Sequence, residues 1–213
     1  MPLPIAVFWE RSDVSGAEHA LLEARDGLYA QGTLLAAAPV PFACRYEVQT
    51  GPDWATARLD VRAEGAGWAR AVRLELAAGR WRVTASEQGD LDAELTRNGH
   101  ARAGLPGCDD PDLLYGAFDV GLGGSSLFAT LPIRRLGLLD SSEAAAAGVS
   151  HRLSVAWVLV PSLEVVQADQ IYTPLGDGRV RFADETTSVD LICDDEGFVA
   201  DRPGLARRVT ASA

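Results

Sequence analysis

The sequence contains no lysine, so all 19 of its basic residues are arginine. Histidine and cysteine are also scarce, at three each in 213 residues. A Walker-type phosphate loop is excluded without lysine, and no dinucleotide fingerprint is present. Arginine's planar fork suits bidentate pairing with carboxylate or phosphate, but an exchange over the whole chain reflects base composition rather than a site. The cysteines, Cys44, Cys108 and Cys193, are odd in number and widely spaced, with no CxxC. That excludes a disulfide framework and a zinc site, and Cys44 and Cys193 read as small buried hydrophobes. The histidines lack metal-ligand spacing, so neither metal nor cofactor is expected. Positive charge is in deficit, with a net charge of −11 and a pI near 4.7. Nucleic acid and anionic membrane surfaces are therefore poor partners. No apolar run approaches the roughly 20 residues that span a bilayer. Residues 1–9 are too short for a signal peptide and lack a basic leader, so a cytoplasmic, reducing location is expected.

What remains is ordinary for a globular chain: 47% hydrophobic and 23% charged residues, enough to bury about 70% of the unfolded surface. Short alternating runs are separated by glycine turns. The first is built on Ile5, Val7 and Trp9. Residues 17–25 read as a strand, although Ser15-Gly16-Ala17-Glu18 resembles a capping box. Strands are expected over 28–36, 44–50, 54–64, 68–77 and 81–86, and Cys44, Tyr46 and Val48 alternate with Arg45, Glu47 and Gln49 as in a half-buried antiparallel strand. Leu91, Ala93 and Leu95 continue the pattern, and residues 98–112 form a surface loop. Strands at 113–122 and 131–139 flank the glycine-serine loop 121–126. Residues 141–148 carry an N-cap, four alanines and a terminal glycine, which predicts a short connector helix. Further strands follow over 153–160, 163–172, 179–183, 187–193 and 198–199, and the chain ends in a polar tail. The sum is an all-β, single-domain fold over residues 1–210, with 211–213 as a tail. So many antiparallel strands must curl or split into layers, which predicts a strongly curved sheet or barrel with a cavity.

Two adjacent arginines, Arg134 and Arg135, sit in an apolar run, and charges enter such a run only with partners. On a strand they point to opposite faces. Each either pairs with a carboxylate such as Asp119, Glu164 or Asp190, or faces a cavity and holds an anionic or hydroxylated head group. Of the five tryptophans, Trp157 and Trp54 are the first candidates to line such a cavity. Arg134, Arg135, Trp157, Trp54, Tyr172 and Asp119 form the candidate ligand-binding set. The 121–126 loop could present a nest of N–H groups, but a plain turn accounts for it better. Ser125 or Ser126 with His151 or His100 and Asp119 could be assembled into a hydrolase site. The nucleophile elbow G-x-S-x-G is missing, however, and no catalytic residue is expected.

The run Leu131-Pro132-Ile133-Arg134-Arg135-Leu136 resembles the putative glycolipid-binding family of bacterial proteins. Residues 155–163 (VAWVLVPSL), Gln170-Ile171-Tyr172-Thr173, Asp195-Glu196-Gly197-Phe198-Val199 and Pro203-Gly204-Leu205 agree with it. Trp9, Glu18, Gly32, Tyr46, Trp54 and Trp81 fit it more loosely. The resemblance implies a β-rich, barrel-like fold similar to bacterial lipoprotein carriers, a glycolipid-like ligand and no catalytic residues. Members usually carry a Thr-Pro…Thr-Asn-Thr pattern before LPIRRL, where this chain has Ser125-Ser126 and Phe128-Ala129-Thr130. The loss of those polar groups implies a different or less polar ligand. The expected function is thus non-enzymatic binding of a glycolipid or other amphipathic molecule in an apolar cavity. The alternatives are a structural or interaction module with internally paired arginines, and a lipid or glycoside hydrolase.

Overall fold

The computed structural model describes residues 4–140 and 146–210. The first half contributes β1 (Ile5–Arg11), β2 (Gly16–Arg25), β3 (Gly27–Ala36), β4 (Phe42–Thr50), β5 (Thr56–Gly65), β6 (Trp68–Ala77) and β7 (Arg80–Gly89). After α1 (Leu91–Arg97) come β8 (Asp119–Leu122) and α2 (Thr130–Arg135). The second half contributes β9 (His151–Val158), β10 (Val165–Gly176), β11 (Arg179–Ala183), β12 (Ser188–Cys193), β13 (Val199–Arg202) and β14 (Ala206–Arg208). All 14 strands among the described residues join one sheet, ordered β7-β6-β5-β4-β3-β2-β1-β14-β13-β12-β11-β10-β9-β8. Two meanders therefore run outward from a seam where β14 pairs with β1.

The sheet curls without closing, and β7 and β8 remain its edges. Curling brings the start of β5 to the strand at the far edge, where Thr56 N donates to Phe118 O at 2.9 Å. The alternation drives this architecture. In β4 every second residue is buried, and burying one face of each strand forces a layer to form over it. That layer is the segment between the meanders. Leu131 of α2 packs into the cluster of Trp9, Leu34, Trp68 and Phe128, whereas Ile133 packs into that of Tyr172, Phe182 and Leu191. One short helix thus joins the cores of both halves.

Three expected elements differ. Residues 131–139 do not form a strand: α2 occupies Thr130–Arg135, led in by a 3-10 turn at Leu127–Ala129. Pro132 lies in the helix's first turn, where its missing N–H costs nothing. Residues 127–133 are all buried, so no alternation of apolar and polar positions marks the helical period. Arg134 and Arg135 therefore do not point to opposite faces of a strand. Residues 91–95 also form a helix, α1, capped by Asp90, whose side chain accepts from Ala93 N at 2.8 Å. Leu91 and Leu95 are its buried i, i+4 pair. Of residues 113–122 only Asp119–Leu122 is strand, and it pairs parallel with β9 rather than antiparallel. The connector helix expected from residue 141 lies largely outside the described residues.

Candidate functional site

The arginines are held by the protein itself. Arg135 donates from Nε to both Asp119 oxygens at 3.0 and 3.1 Å and from Nη2 to Oδ2 at 2.6 Å. Asp119 is fully buried on β8, and the Arg135 side chain is 20% exposed. Burial pushes the Asp119 carboxyl above its ordinary value, while the Arg135 guanidinium pulls the other way. Arg134 lies 4.7 Å over the Trp54 ring and donates to the Glu196 carbonyl at 2.7 Å. Trp54 reaches that position with a φ of 64°, rare for a bulky side chain, and packs edge-on to Phe198. Trp157, on β9, covers Gly121 of the adjacent β8, where a Cβ would meet its ring at 2.0 Å. Tyr172 is buried on β10 and donates to Gln170 Oε1 at 3.0 Å. The fold thus brings Asp119 to Arg135 and Trp54 to Arg134, and it ties their polar atoms to protein partners.

A second buried carboxyl lies under β2. Glu18 accepts from the Tyr46 hydroxyl at 2.6 Å, from the Ser126 N–H at 3.1 Å and from the Ser125 hydroxyl. Gly32 permits this: the Tyr46 ring fills the space where a Cβ would stand, 2.2 Å from Cζ. Burial raises the Glu18 pKa, opposed by those hydrogen bonds and by nearby Arg11. Ser125 and Ser126 are buried, so the glycine-serine loop serves as a turn that anchors this carboxyl.

On the opposite face of β2–β7 the chain forms a groove of about 690 Å³, within the roughly 300–1,000 Å³ of small-molecule sites. Strand register sets its lining. Leu21, Gln31, Glu47, Asp60, Arg73 and Thr84 make one rung across six strands. The adjacent rung carries His19, Thr33, Arg45 and Arg62. Its three arginines are paired: Arg73 Nε donates to Asp60 at 2.6 Å, and Arg45 and Arg62 donate to Glu64 beside the lining, while Arg58, also outside it, donates to Asp60. Partial burial pushes the Asp60 carboxyl up, and Arg58 and Arg73 more than offset it, so it stays ionised below its ordinary value. Arg45 and Arg62 likewise lower Glu64. Toward β1–β3, Leu21 lines the groove beside His19, Gln31 and Thr33, and Phe8 and Leu35 lie beyond the lining on the same outer face; Phe8, Leu21 and Leu35 are 43, 43 and 51% exposed.

Sequence reasoning did not find this groove. Its residues are the polar halves of alternating strands, and any solvated sheet face shows the same pattern. The twist of long strands is what hollows the face, and twist leaves no mark on residue order.

No curated protein compared with the chain matches it. Among solved structures, it is similar to a crystal structure of a DUF1089 family protein from Pseudomonas aeruginosa, with 24% identity, a TM-score of 0.67, and 90% of this chain and 92% of that one covered. At that identity the likeness shows the fold. The family model described as "Putative glycolipid-binding" matches residues 6–208, nearly the whole chain, and the chain belongs to that family.

Proposed function

We propose that this protein is a binding protein without catalytic activity, which holds an amphipathic, glycolipid-like molecule in the groove over β2–β7. One observation carries the reading. The groove has Leu21 at its β2 end, with exposed Phe8 and Leu35 beyond its lining on the same sheet face, and the ion-paired Arg45, Asp60, Arg62 and Arg73 across β4–β6. An amphipathic ligand has both surfaces to satisfy at once. The family name points the same way. This reading moves the ligand from Arg134 and Arg135 to the other face of the sheet, because those arginines already have protein partners. Absence of catalysis is part of the proposal: the Ser125 hydroxyl is committed to Glu18 inside the core. A cytoplasmic location is also part of it, consistent with three free cysteines, of which Cys44 and Cys193 have thiols that burial pushes up to about 12.

The test is a titration with an apolar fluorescent probe, with native mass spectrometry of gently purified protein alongside. Saturable binding that is lost in Leu21→Glu supports the reading, and absence of both probe binding and any adduct overturns it. The reading of a structural module is favoured by the Arg135–Asp119 pair alone, and that second outcome would select it.

A further inference from the structure

The inner face of the sheet holds one buried charge that the protein leaves without an acceptor. Glu18, Arg70, Asp119 and Arg202 are the buried charged residues among those described. Three are tied to protein: Glu18 to Tyr46, Ser125 and Ser126, Asp119 to Arg135, and Arg70 to Glu87 and to the Ser162 carbonyl. Arg202, on β13 and 9% exposed, makes no hydrogen bond or ion pair from its guanidinium among the described residues, and it lies 4.4 Å over the Phe182 ring. The ring answers the charge but leaves a planar fork of five N–H donors with no oxygen to bind. None of those nitrogens is among the unpaired polar atoms sealed from solvent, so the fork opens to the outside. Register sets it in a cluster. Arg202 and Arg11 both stand opposite Ala206, one on each side of β14, and Arg208 follows on the same face of that strand. Arg11 gives Nε and Nη2 to Asp13, and Arg208 gives Nη1 to Asp194. Arg11 Nη1 and Arg208 Nε and Nη2 are buried without an acceptor. The seam between the two meanders therefore carries more N–H donors than the protein's own oxygens use.

We propose that Arg202 anchors a binding site for a small, singly charged carboxylate at this seam. The site lies on the inner face, apart from the groove, and is independent of what the groove holds. The two oxygens of a carboxylate match the guanidinium fork. Phe182 and Tyr172, packed edge-on at 5.4 Å, make the surroundings apolar, which strengthens such a bond. Burial pushes the Arg202 guanidinium below its ordinary value, and Tyr172, Asp184 and Asp13 pull the other way from nearby. A bound carboxylate supplies the direct contact that these groups do not make. Asp184 and Asp13 also set the class of anion. Both repel an incoming negative charge, and a doubly charged phosphate or sulfate feels that repulsion more strongly than a carboxylate does.

NMR titrations with sodium acetate, sulfate and chloride at equal ionic strength and about pH 6.5, where acetate is ionised, test the site. In the wild type, acetate should shift the Arg202 Nε–Hε resonance saturably. Its affinity should exceed that of sulfate and of chloride by at least about tenfold, the scale of one charge-assisted hydrogen bond. In variants the backbone amides of residues 182, 202 and 206 carry the readout. Arg202→Gln should abolish the acetate response, and Arg202→Lys, which keeps the charge and loses the fork, should weaken it by about tenfold. Acetate should also raise the urea midpoint of the wild type and leave that of Arg202→Gln unmoved. No saturable shift in the wild type, sulfate or chloride bound as tightly as acetate, or an acetate response unchanged in Arg202→Gln overturns the proposal. Should Arg202→Gln fail to fold, Arg202→Lys decides: an acetate affinity equal to that of the wild type overturns it.

Discussion

Arg135→Met tests whether the double arginine is structural. The substitution keeps an apolar side chain of similar reach and removes the guanidinium that makes three hydrogen bonds to Asp119. Asp119 is fully buried, so it is left as an uncompensated charge. Breaking a buried pair costs about 3–5 kcal/mol, and the 20% exposure of the Arg135 side chain places the expected loss near the lower end, about 3 kcal/mol. That is a large share of a total stability of about 5–15 kcal/mol. The loss carries a pH signature. Burial already pushes Asp119 above its ordinary value of 3.8, and the variant lacks the arginine that opposes this. With its folded pKa above its unfolded one, the carboxyl favours folding when protonated. The deficit is therefore smallest near the ordinary carboxylate value and grows as pH rises through the raised folded value, by at most about 1.4 kcal/mol per pH unit. Urea unfolding of wild type and variant from pH 4 to 8 measures it. Replacing Asp119 by Leu in the same background should recover most of the loss, because an apolar pair replaces a buried ionic one with little net cost. A pH-independent loss under about 1 kcal/mol in Arg135→Met would refute the reasoning.

Other expectations follow from the same physics. Gly32→Ala puts a methyl group into the buried Tyr46 ring and loosens its hydrogen bond to Glu18; the expected cost is about 3 kcal/mol by urea unfolding, and a loss under about 1 kcal/mol contradicts the packing. The raised Glu18 pKa makes its contribution to stability full below its ordinary 4.5 and lost as pH rises through the folded value. Stability should consequently fall more steeply above that pH in wild type than in Glu18→Gln, and parallel profiles would show that Glu18 is not perturbed. Asp90→Ala removes the cap on α1 and should cost about 1 kcal/mol, with amide exchange quickening first in residues 91–97.

The strands were legible because their buried residues repeat every second position: Cys44, Tyr46 and Val48 declare β4 without help from the rest of the fold. The helices were not, for two different reasons. In α1 the signals were present in Asp90, Asp92, Glu94 and Arg97, but Leu91, Ala93 and Leu95 also satisfy an alternating pattern. In α2 the four consecutive residues Thr130, Leu131, Pro132 and Ile133 are all buried, so no alternation of buried and exposed positions reveals its period. The partner of Arg135 was within reach, since Asp119 was among the few carboxylates near it in an apolar setting. The groove was out of reach, because Leu21, Glu47, Asp60 and Arg73 belong to four strands spread over some fifty residues. Only register aligns them.

The most direct test of the central claim is an amide NMR titration of the wild-type protein with octyl glucoside below its micelle concentration. The account predicts saturable shifts centred on Leu21, Gln31, Glu47, Asp60 and Arg73, with little change around Trp54, Arg134 and Arg135. Shifts centred instead on those last three residues, or no saturable shifts at all, would contradict it.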